Sequence, residues 1–471
     1  MEEDLRTFFD DYVELAQQNL RQLVQPERFD DQLRQSVEHL ERNSAFVALV
    51  KQTATSFQRS DSGLRISGLW EGQVGAFFRL SGTYAAFAAG DALPGDDLFS
   101  RYCSAFQAER QTRTILVPLE FVEFSKDSMG FKTFMLRRFS SEELDDIFQN
   151  RMRRVFYPYA VVDTDALGEY WCLTVHESVA NLANLLFGSW DEIVWDSRVQ
   201  VSYSEHPATV QTALRHLALF NWGSSPFEPA PADARPIRRK EWEGPFLPQV
   251  PFVLSATDSL IMSPTRAPDL SKLATEPVLD QESGEHIGDQ RAPGLHMDEE
   301  QTARFEEFMK RVVDLTEVIE PCRSKWTFID TALGFLLKAF TTDGLEQLLW
   351  HITAIEAVLG QKVDAGLTKL LLSRVSTILG RTEEERRDFK KRFDKLYSFR
   401  SDLIHGNANL AEREIYRGYL GEARDYARCI VLWMLHYLAQ AASAIPAGEP
   451  APTRDQLLAL LDLDAEGCEN C

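Results

Sequence analysis

An arginine and a histidine near the carboxyl terminus are the residues of this chain best suited to chemistry. Arg400 continues the apolar stripe of a predicted helix that carries Leu396 and Leu403, and His405 follows five positions later, directly before Gly406. An arginine on an apolar stripe is costly unless it is paired or faces a wet cleft. Histidine titrates near neutral pH, so it can take a proton from a ribose 2′-hydroxyl or give one to a leaving 5′-oxygen. A guanidinium offers fixed donors to the charge that gathers on phosphate oxygens. The pair therefore suits RNA cleavage without a metal ion.

The spacing of these two residues predicts that one chain does not complete the site. Five residues of α-helix rotate by about 140°, so Arg400 and His405 do not share a helix face. Two copies of the chain packed side by side would bring both pairs to a shared groove. Ser401 and Asp402 stand between the two residues, and they are candidates to orient His405 or to contact ribose.

The same residues also permit an interpretation without catalysis. An Arg-x4-His spacing on a helix arises often by chance. Arg400 would then pair with a buried acid such as Glu356, and His405 would be a cation at a helix end, where the dipole favours positive charge. Glu356 lies in a predicted apolar helix, where a salt bridge to Arg374 or Arg400 fits it better than proton transfer.

Charge restricts where nucleic acid can bind. The formal net charge of the chain is −22, so its surface as a whole repels nucleic acid, and a binding site must be a local basic patch. Residues 386–400 contain seven basic residues against two aspartates, a local net charge of +5. A solvated helix face is the alternative interpretation of this run. The residues that we predict to bind RNA are Arg386, Arg387, Lys390, Lys391 and Lys395.

Composition and periodicity predict several domains in a chain of 471 residues. Residues 1–60 are predicted to be a helical segment, and 61–260 a mixed α+β domain with β-rich residues 114–124 and a helix that starts at Ser140. A polar linker is predicted over 261–298 and a flexible tail over 446–471. Between them, 299–445 are predicted to be an antiparallel helical bundle, with apolar stripes over 302–320, 345–359, 368–379 and 415–437 and a further helix from 382. The predicted fold class is an α+β amino-terminal region followed by an all-α bundle.

The sequence predicts a cytoplasmic protein. The first residues are acidic and lack the apolar core of a signal peptide, and the longest apolar run, 430–445, is short of a membrane span. Six scattered cysteines do not form a disulfide framework in a chain this long. We expect no metal, no cofactor and no membrane partner.

Three blocks of the carboxyl-terminal region resemble Apea-like HEPN domains in order and spacing. They are residues 348–360, residues 373–380 and the segment 396–406 that contains the arginine and the histidine. This resemblance implies a small helical bundle that dimerises, with two R-x4-6-H motifs in one cleft, and it gives Arg400 and His405 the catalytic roles. Many members of the family are metal-independent ribonucleases of toxin, abortive-infection and CRISPR-associated systems. Active members often carry asparagine, aspartate or histidine directly after the arginine, whereas this chain has Ser401 there and Asp402 one place later.

Our leading hypothesis is a metal-independent endoribonuclease that cleaves tRNA or mRNA by transesterification through the 2′-hydroxyl. The chain would act as a HEPN homodimer, as a toxin or abortive-infection effector in antiviral defence, with a phage or host trigger at residues 61–260. One alternative is a catalytically inactive HEPN domain that serves as a dimerisation or nucleotide- or RNA-binding scaffold. Another is a partner in a toxin–antitoxin pair that is modified with a nucleotidyl group, with Tyr397 as acceptor.

Overall fold

The structure, a computed structural model, describes most of the 471 residues. The described residues are 2–21, 28–57, 67–148, 151–180, 207–222, 250–262, 267–268, 270, 273, 275–279, 283–291, 295–342, 344–361, 366–406, 413–446 and 449–469. The chain divides into two compact units. Unit 1 contains Met1–Pro118, Leu136–Val201 and Pro251–Ala274, and unit 2 contains Leu119–Met135, Ser202–Val250 and Thr275–Cys471.

Helices make up most of the described chain. The first nine are α1 (Glu2–Leu20), α2 (Phe29–Leu40), α3 (Ser44–Phe57), α4 (Ser67–Leu80), α5 (Thr83–Ala89), α6 (Gly95–Gln107), α7 (Ser141–Phe148), α8 (Arg151–Phe156) and α9 (Thr164–Gly168). They are followed by α10 (Ala208–Ala218), α11 (Glu299–Ile319), α12 (Thr327–Thr341), α13 (Gly344–Leu359), α14 (Leu367–Leu379), α15 (Glu383–Ile404), α16 (Arg413–Ala444) and α17 (Arg454–Glu469).

The strands are short, and five of them form one antiparallel sheet in the order β3-β4-β5-β1-β6. The strands are β1 (Arg110–Leu119), β2 (Val122–Phe124), β3 (Ser128–Gly130), β4 (Met135–Arg138), β5 (Trp171–Ala180), β6 (Leu254–Thr257), β7 (Thr275–Leu279), β8 (His286–Arg291) and β9 (Leu295–Met297). The predicted fold class is confirmed at this level: a region with helices and a sheet precedes a helical carboxyl-terminal region. Residues 181–206 and 223–249 of the predicted α+β domain lie outside the described residues.

The helices of the first 60 residues do not form a segment of their own. Leu5, Phe9 and Tyr12 recur at helical spacing on α1, and all three are buried in one core that α4, α5 and α6 complete. For example, the ring centroid of Phe9 lies 5.8 Å from the ring centroid of Phe78 in α4. A single helical face cannot bury itself, so the apolar stripe that predicted α1 also required the later helices.

The sheet and the helix after β4 agree with the local sequence signals. Strand β1 contains most of the β-rich run and pairs antiparallel with β6, with Leu116 opposite Leu254. Helix α7 begins as predicted at Ser140: the hydroxyl of Ser140 accepts from the backbone N–H of Glu143 over 3.2 Å, and the Glu143 carboxylate accepts from the Ser140 N–H over 3.0 Å. This reciprocal capping box pairs two donors that the helix leaves unsatisfied.

The predicted linker 261–298 contains regular structure, which corrects that prediction. Strands β7 and β8 form an antiparallel hairpin, and Gly284, with a φ of 70°, lies between them. Strand β9 pairs in parallel with β2 in unit 2. A two-stranded hairpin is held by backbone hydrogen bonds and a glycine turn, so a polar composition like that of this segment does not exclude it.

The helical bundle of unit 2 is built around α16. Every side chain from Tyr419 to Ala439 is buried or half-buried, and α16 packs against each of the helices α11 to α15. Helix α11 starts with a capping box between Asp298 and Gln301. Helix α12, which was not predicted from the sequence, pairs extensively with α13. None of the described helices is long and apolar enough to cross a membrane.

The predicted flexible tail is a docked helix instead. Helix α17 packs on α14 and buries Leu457, Leu458 and Leu461. The leucines of 457–463 are a weak periodic signal, and they predict only one or two helical turns when the surface that receives them is unknown. The packing of α17 on α14 stabilises the helix, as is usual for short helices with little intrinsic stability.

Candidate active site

Two local interactions, one at each end of helix α15, fix the helix that carries Arg400 and His405. At its start, Thr382 and Glu385 form a capping box, as the sequence predicts. At its end, Gly406 has a φ of 73° and donates its N–H to the Leu403 carbonyl over 3.2 Å. A left-handed glycine at this position ends a helix without steric cost. His405 is therefore the C-cap residue, directly after the last helical residue.

Arg400 lies on the side of α15 that faces α13, and its side chain is 25% exposed. Its Nη2 donates to Oε2 of Glu356 over 3.4 Å, and its guanidinium carbon lies 5.6 Å from the centre of the Tyr397 ring. Its buried Nε has no hydrogen-bond partner among the residues that the structure describes. The guanidinium is thus held by one long ionic contact and keeps donor capacity for another anion.

Glu356 is the centre of this cluster. The Tyr397 hydroxyl donates to Oε1 of Glu356 over 2.6 Å. Burial, together with this hydrogen bond to a carboxylate, raises the pKa of Tyr397 to about 12. Between the two partners that the sequence allowed for Glu356, the structure selects Arg400, because Arg374 pairs with Asp462 over 2.6 Å instead. Tyr397 and Arg400 share a face at a spacing of three residues, which is the sequence signal for this cluster.

His405 is exposed at the end of α15, away from the Glu356 cluster. Its backbone N–H donates to the Ser401 carbonyl over 3.1 Å. Within the described part of the chain, no hydrogen bond joins its imidazole to Ser401, which is half-buried, or to Asp402, which is exposed. The structure therefore does not bring these two auxiliary candidates onto the imidazole. Arg400 contacts Glu356 of α13, whereas His405 is exposed at the helix end.

Three arginines of the basic run of α15 have hydrogen-bond or ion-pair partners within the same chain. Arg386 donates to the Gly380 carbonyl over 3.1 Å, Arg387 pairs with Glu383, and Arg392 donates to Glu422 over 2.8 Å.

Three lysines of the same run have no ion pair among the described residues. They are Lys390, which is half-buried, and Lys391 and Lys395, which are exposed. Spacings of four and ten residues place Lys391, Lys395 and His405 on the same side of the helix, where they form one exposed stripe. This stripe is the basic surface that the structure leaves available on α15.

Two features near this cluster were not predicted from the sequence. The rings of Phe399 and Tyr419 stack 4.7 Å apart and join α15 to α16 beside the arginine. Arg454 of α17 donates to the Ala357 carbonyl over 2.7 Å, in the same helical turn as Glu356. Arg454 stands in the predicted tail and is 97 positions from Ala357, so no local pattern could have indicated the contact.

The arrangement can bind a phosphate at Arg400 and move a proton at His405, but one chain does not bring the two side chains together. No group of three or more histidine, cysteine or acidic side chains that could hold a metal ion is present among the residues described. No protein-family model, curated protein or solved structure matches the chain. The assignment of a function therefore depends on these residues and their geometry.

Proposed function

We propose that the carboxyl-terminal bundle is a HEPN-type, metal-independent endoribonuclease whose site is completed by two copies of the chain. The observation that carries this proposal is the state of the two motif residues. Arg400 is 25% exposed and is held by one ionic contact of 3.4 Å, and His405 is exposed at the end of the same helix. Two residues sealed in the interior of one chain could not meet a phosphate.

The chemistry proposed is an internal transesterification of RNA. One His405 takes the proton of the ribose 2′-hydroxyl, the 2′-oxygen attacks the adjacent phosphorus, and the bond from phosphorus to the 5′-oxygen breaks. The His405 of the second copy gives a proton to the leaving 5′-oxygen. The products are a 2′,3′-cyclic phosphate and a 5′-hydroxyl. Arg400 stabilises the negative charge on the phosphate oxygens, which a guanidinium does well in a partly desolvated site.

Glu356 has a positioning role in this proposal. Its carboxylate holds Nη2 of the Arg400 guanidinium, while a quarter of the arginine side chain stays exposed to solvent. Such a contact fixes the direction of the donors before the substrate arrives, so less side-chain freedom is lost on binding. Ser401 and Asp402 remain candidates to contact ribose, because neither is fully buried.

The proposed substrate is a tRNA or mRNA that crosses the exposed stripe of α15. Lys391 and Lys395 would contact its phosphates and supply attraction that the acidic chain otherwise lacks. We further propose a cytoplasmic effector of phage defence or abortive infection in which a phage or host molecule acts on the amino-terminal domain. This setting depends on the resemblance to HEPN domains.

One observation favours a second candidate, a catalytically inactive scaffold. In the structure Arg400 already has an anionic partner, Glu356, as an arginine retained for stability would have. Tyr397 is less suited to the third role, that of a nucleotidyl acceptor, because burial and Glu356 raise its pKa and disfavour the phenolate.

The test is RNA cleavage in the presence of EDTA by wild type, Arg400→Ala and His405→Ala. Two matched controls are Arg304→Ala and His286→Ala, since both of these residues are exposed and lie outside the proposed site. We expect fragments with cyclic-phosphate ends from wild type and both controls, and none from the two motif variants. Cleavage that survives in either motif variant, or a wild type that cleaves no RNA with or without phage lysate, would refute the nuclease.

A further inference from the structure

The carboxyl-terminal end of α13 is capped by two arginines. The last carbonyls of a helix have no partner inside the helix and carry the negative end of its dipole. Arg374 donates to the Leu359 carbonyl over 2.6 Å. Arg454 donates to the carbonyls of Ala357 over 2.7 Å, Glu356 over 3.4 Å and Gly360. Two guanidinium groups therefore bond carbonyls of the turn that carries Glu356, whose own carbonyl also accepts the Gly360 N–H over 2.8 Å.

Arg454 reaches this turn because α17 is fixed in place by independent contacts. Leu457, Leu458 and Leu461 are at most 4% exposed. The carboxylate of Asp462 receives two hydrogen bonds from Arg374, over 2.8 and 2.6 Å. Before the helix starts, the Trp326 indole donates to the Pro452 carbonyl over 2.9 Å. These contacts bracket Arg454 and limit where its guanidinium can lie.

The same turn of α13 holds the arginine of the motif. The Glu356 backbone carbonyl accepts from Arg454, and its side chain accepts from Tyr397 and Arg400. The turn is also closely packed, since a Cβ atom on Gly360 would collide with the Glu356 carbonyl oxygen. A shift of the backbone at Glu356 would therefore displace the carboxylate from its two partners on α15.

We propose that Arg454 is a positioning residue for the Glu356–Tyr397–Arg400 cluster, so that the carboxyl-terminal helix fixes the geometry of the site from outside. Its effect on RNA cleavage rests on the proposed function, whereas its effect on the cluster does not. Among the described residues, Arg454 makes no hydrogen bond or ion pair with Arg400, so it would act through the end of α13.

The first test measures the cluster without any substrate. Full-length protein is labelled with carbon-13 at Cζ of tyrosine, and the Tyr397 resonance is assigned with Tyr397→Phe at neutral pH. Glu356→Gln gives the reference position of that resonance when the carboxylate is absent. We expect Arg454→Ala to move the resonance at least half of the way to this reference position, and Arg454→Lys to restore most of the wild-type position. The matched control Arg304→Ala should leave it unchanged.

Unchanged positions of the other tyrosine resonances show that each variant is folded. A Tyr397 resonance at its wild-type position in folded Arg454→Ala would overturn the inference, whatever the protein does to RNA. If the alanine variant does not fold, Arg454→Gln, which removes the charge and keeps part of the side-chain stem, takes its place. A Tyr397 resonance displaced in the direction of the reference in the folded glutamine variant then supports the positioning role, and a resonance at its wild-type position rejects it.

The second test separates this inference from the nuclease itself. Where wild type cleaves RNA, we expect Arg454→Ala to lower kcat on the order of tenfold or more and to change KM little, because Arg400 acts on the transition state. Arg454→Lys should recover most of kcat. If wild type cleaves nothing, the proposed function fails and the tyrosine resonance still decides the positioning role. A wild-type kcat in Arg454→Ala refutes the catalytic consequence while the nuclease stands.

Discussion

Replacement of Asp462 by alanine should release the carboxyl-terminal helix, because its partner Arg374 is only 1% exposed. The Arg374 guanidinium donates two hydrogen bonds to Asp462, one to the Leu359 carbonyl and one to Gln361. Removing the carboxylate leaves a buried cation without its counter-ion. Breaking a buried ion pair in this way costs about 3–5 kcal/mol, and we expect about 3 kcal/mol because Asp462 itself is 33% exposed.

Amide hydrogen exchange over residues 454–462 measures this loss where it occurs. A loss of about 3 kcal/mol in the opening free energy corresponds to exchange about 150-fold faster in that segment. The matched control is Asp314→Ala, which removes an acid that is 62% exposed and pairs with Lys132 over 3.2 Å. A surface pair of this kind is worth about 1 kcal/mol or less, so exchange at 454–462 should stay at the wild-type rate.

The double variant Arg374→Met with Asp462→Leu tests the reason for the loss. Replacing both charges by apolar groups removes the unpaired buried cation, so most of the protection over 454–462 should return. Exchange over 454–462 in Asp462→Ala at the rate of the Asp314→Ala control would refute a stabilising role of the Arg374–Asp462 pair. A double variant that protects the segment no better than Asp462→Ala would show that the unpaired buried cation is not the cause of the loss.

Three further predictions concern stability and assembly. Gly360→Ala should lower the free energy of unfolding by about 2 kcal/mol, because the added Cβ would collide with the Glu356 carbonyl. Gly418→Ala in helix α16, where an added Cβ would meet no described atom within 4 Å, should instead raise the free energy of unfolding by up to about 1 kcal/mol. Urea denaturation measures both changes. Burial lowers the pKa of His351 to about 3, so the imidazole takes up a proton near pH 6.5 in the unfolded chain but not in the folded chain. The free energy of unfolding should therefore fall by about 2.5 kcal/mol between pH 6.5 and 4.5. His351→Gln should remove this part of the pH dependence. The chain should sediment as a dimer of twice 53.6 kDa at micromolar concentration.

Each of these expectations has a result that contradicts it. Equal urea midpoints for the two glycine variants would show that the end of α13 tolerates a side chain. The pH effect is read from the difference between wild type and His351→Gln, because other acids titrate in the same range. A difference that does not change from pH 6.5 to 4.5 would show that His351 is protonated in the fold. A monomeric mass at all concentrations would remove the shared groove on which the nuclease depends.

Local signals in the sequence were sufficient for helix α15. The capping box at Thr382 and Glu385 and the glycine at 406 fix its ends, since each device uses hydrogen bonds between residues a few positions apart. The helical period then sets the angle between Arg400 and His405. The same kind of reasoning predicted β1 and the start of α7, whose signals are equally local.

Partners and docking surfaces could not be determined in this way. The sequence left Glu356 with two possible cations, and only the packing of α13 against α15 selected Arg400, which is 44 positions away. Residues 446–471 looked like a tail because the weak apolar pattern of 457–463 indicates little until α14 offers a surface to its leucines and Arg374 pairs with Asp462. Contacts over tens of residues depend on how whole helices pack, and a one-dimensional pattern does not contain that information. The sequence by itself determined where the motif helix begins and ends and the angle between Arg400 and His405, because those depend on neighbours within one or two helical turns. The tertiary structure alone decided that Glu356 holds Arg400 and that Arg454 bonds the helical turn of Glu356.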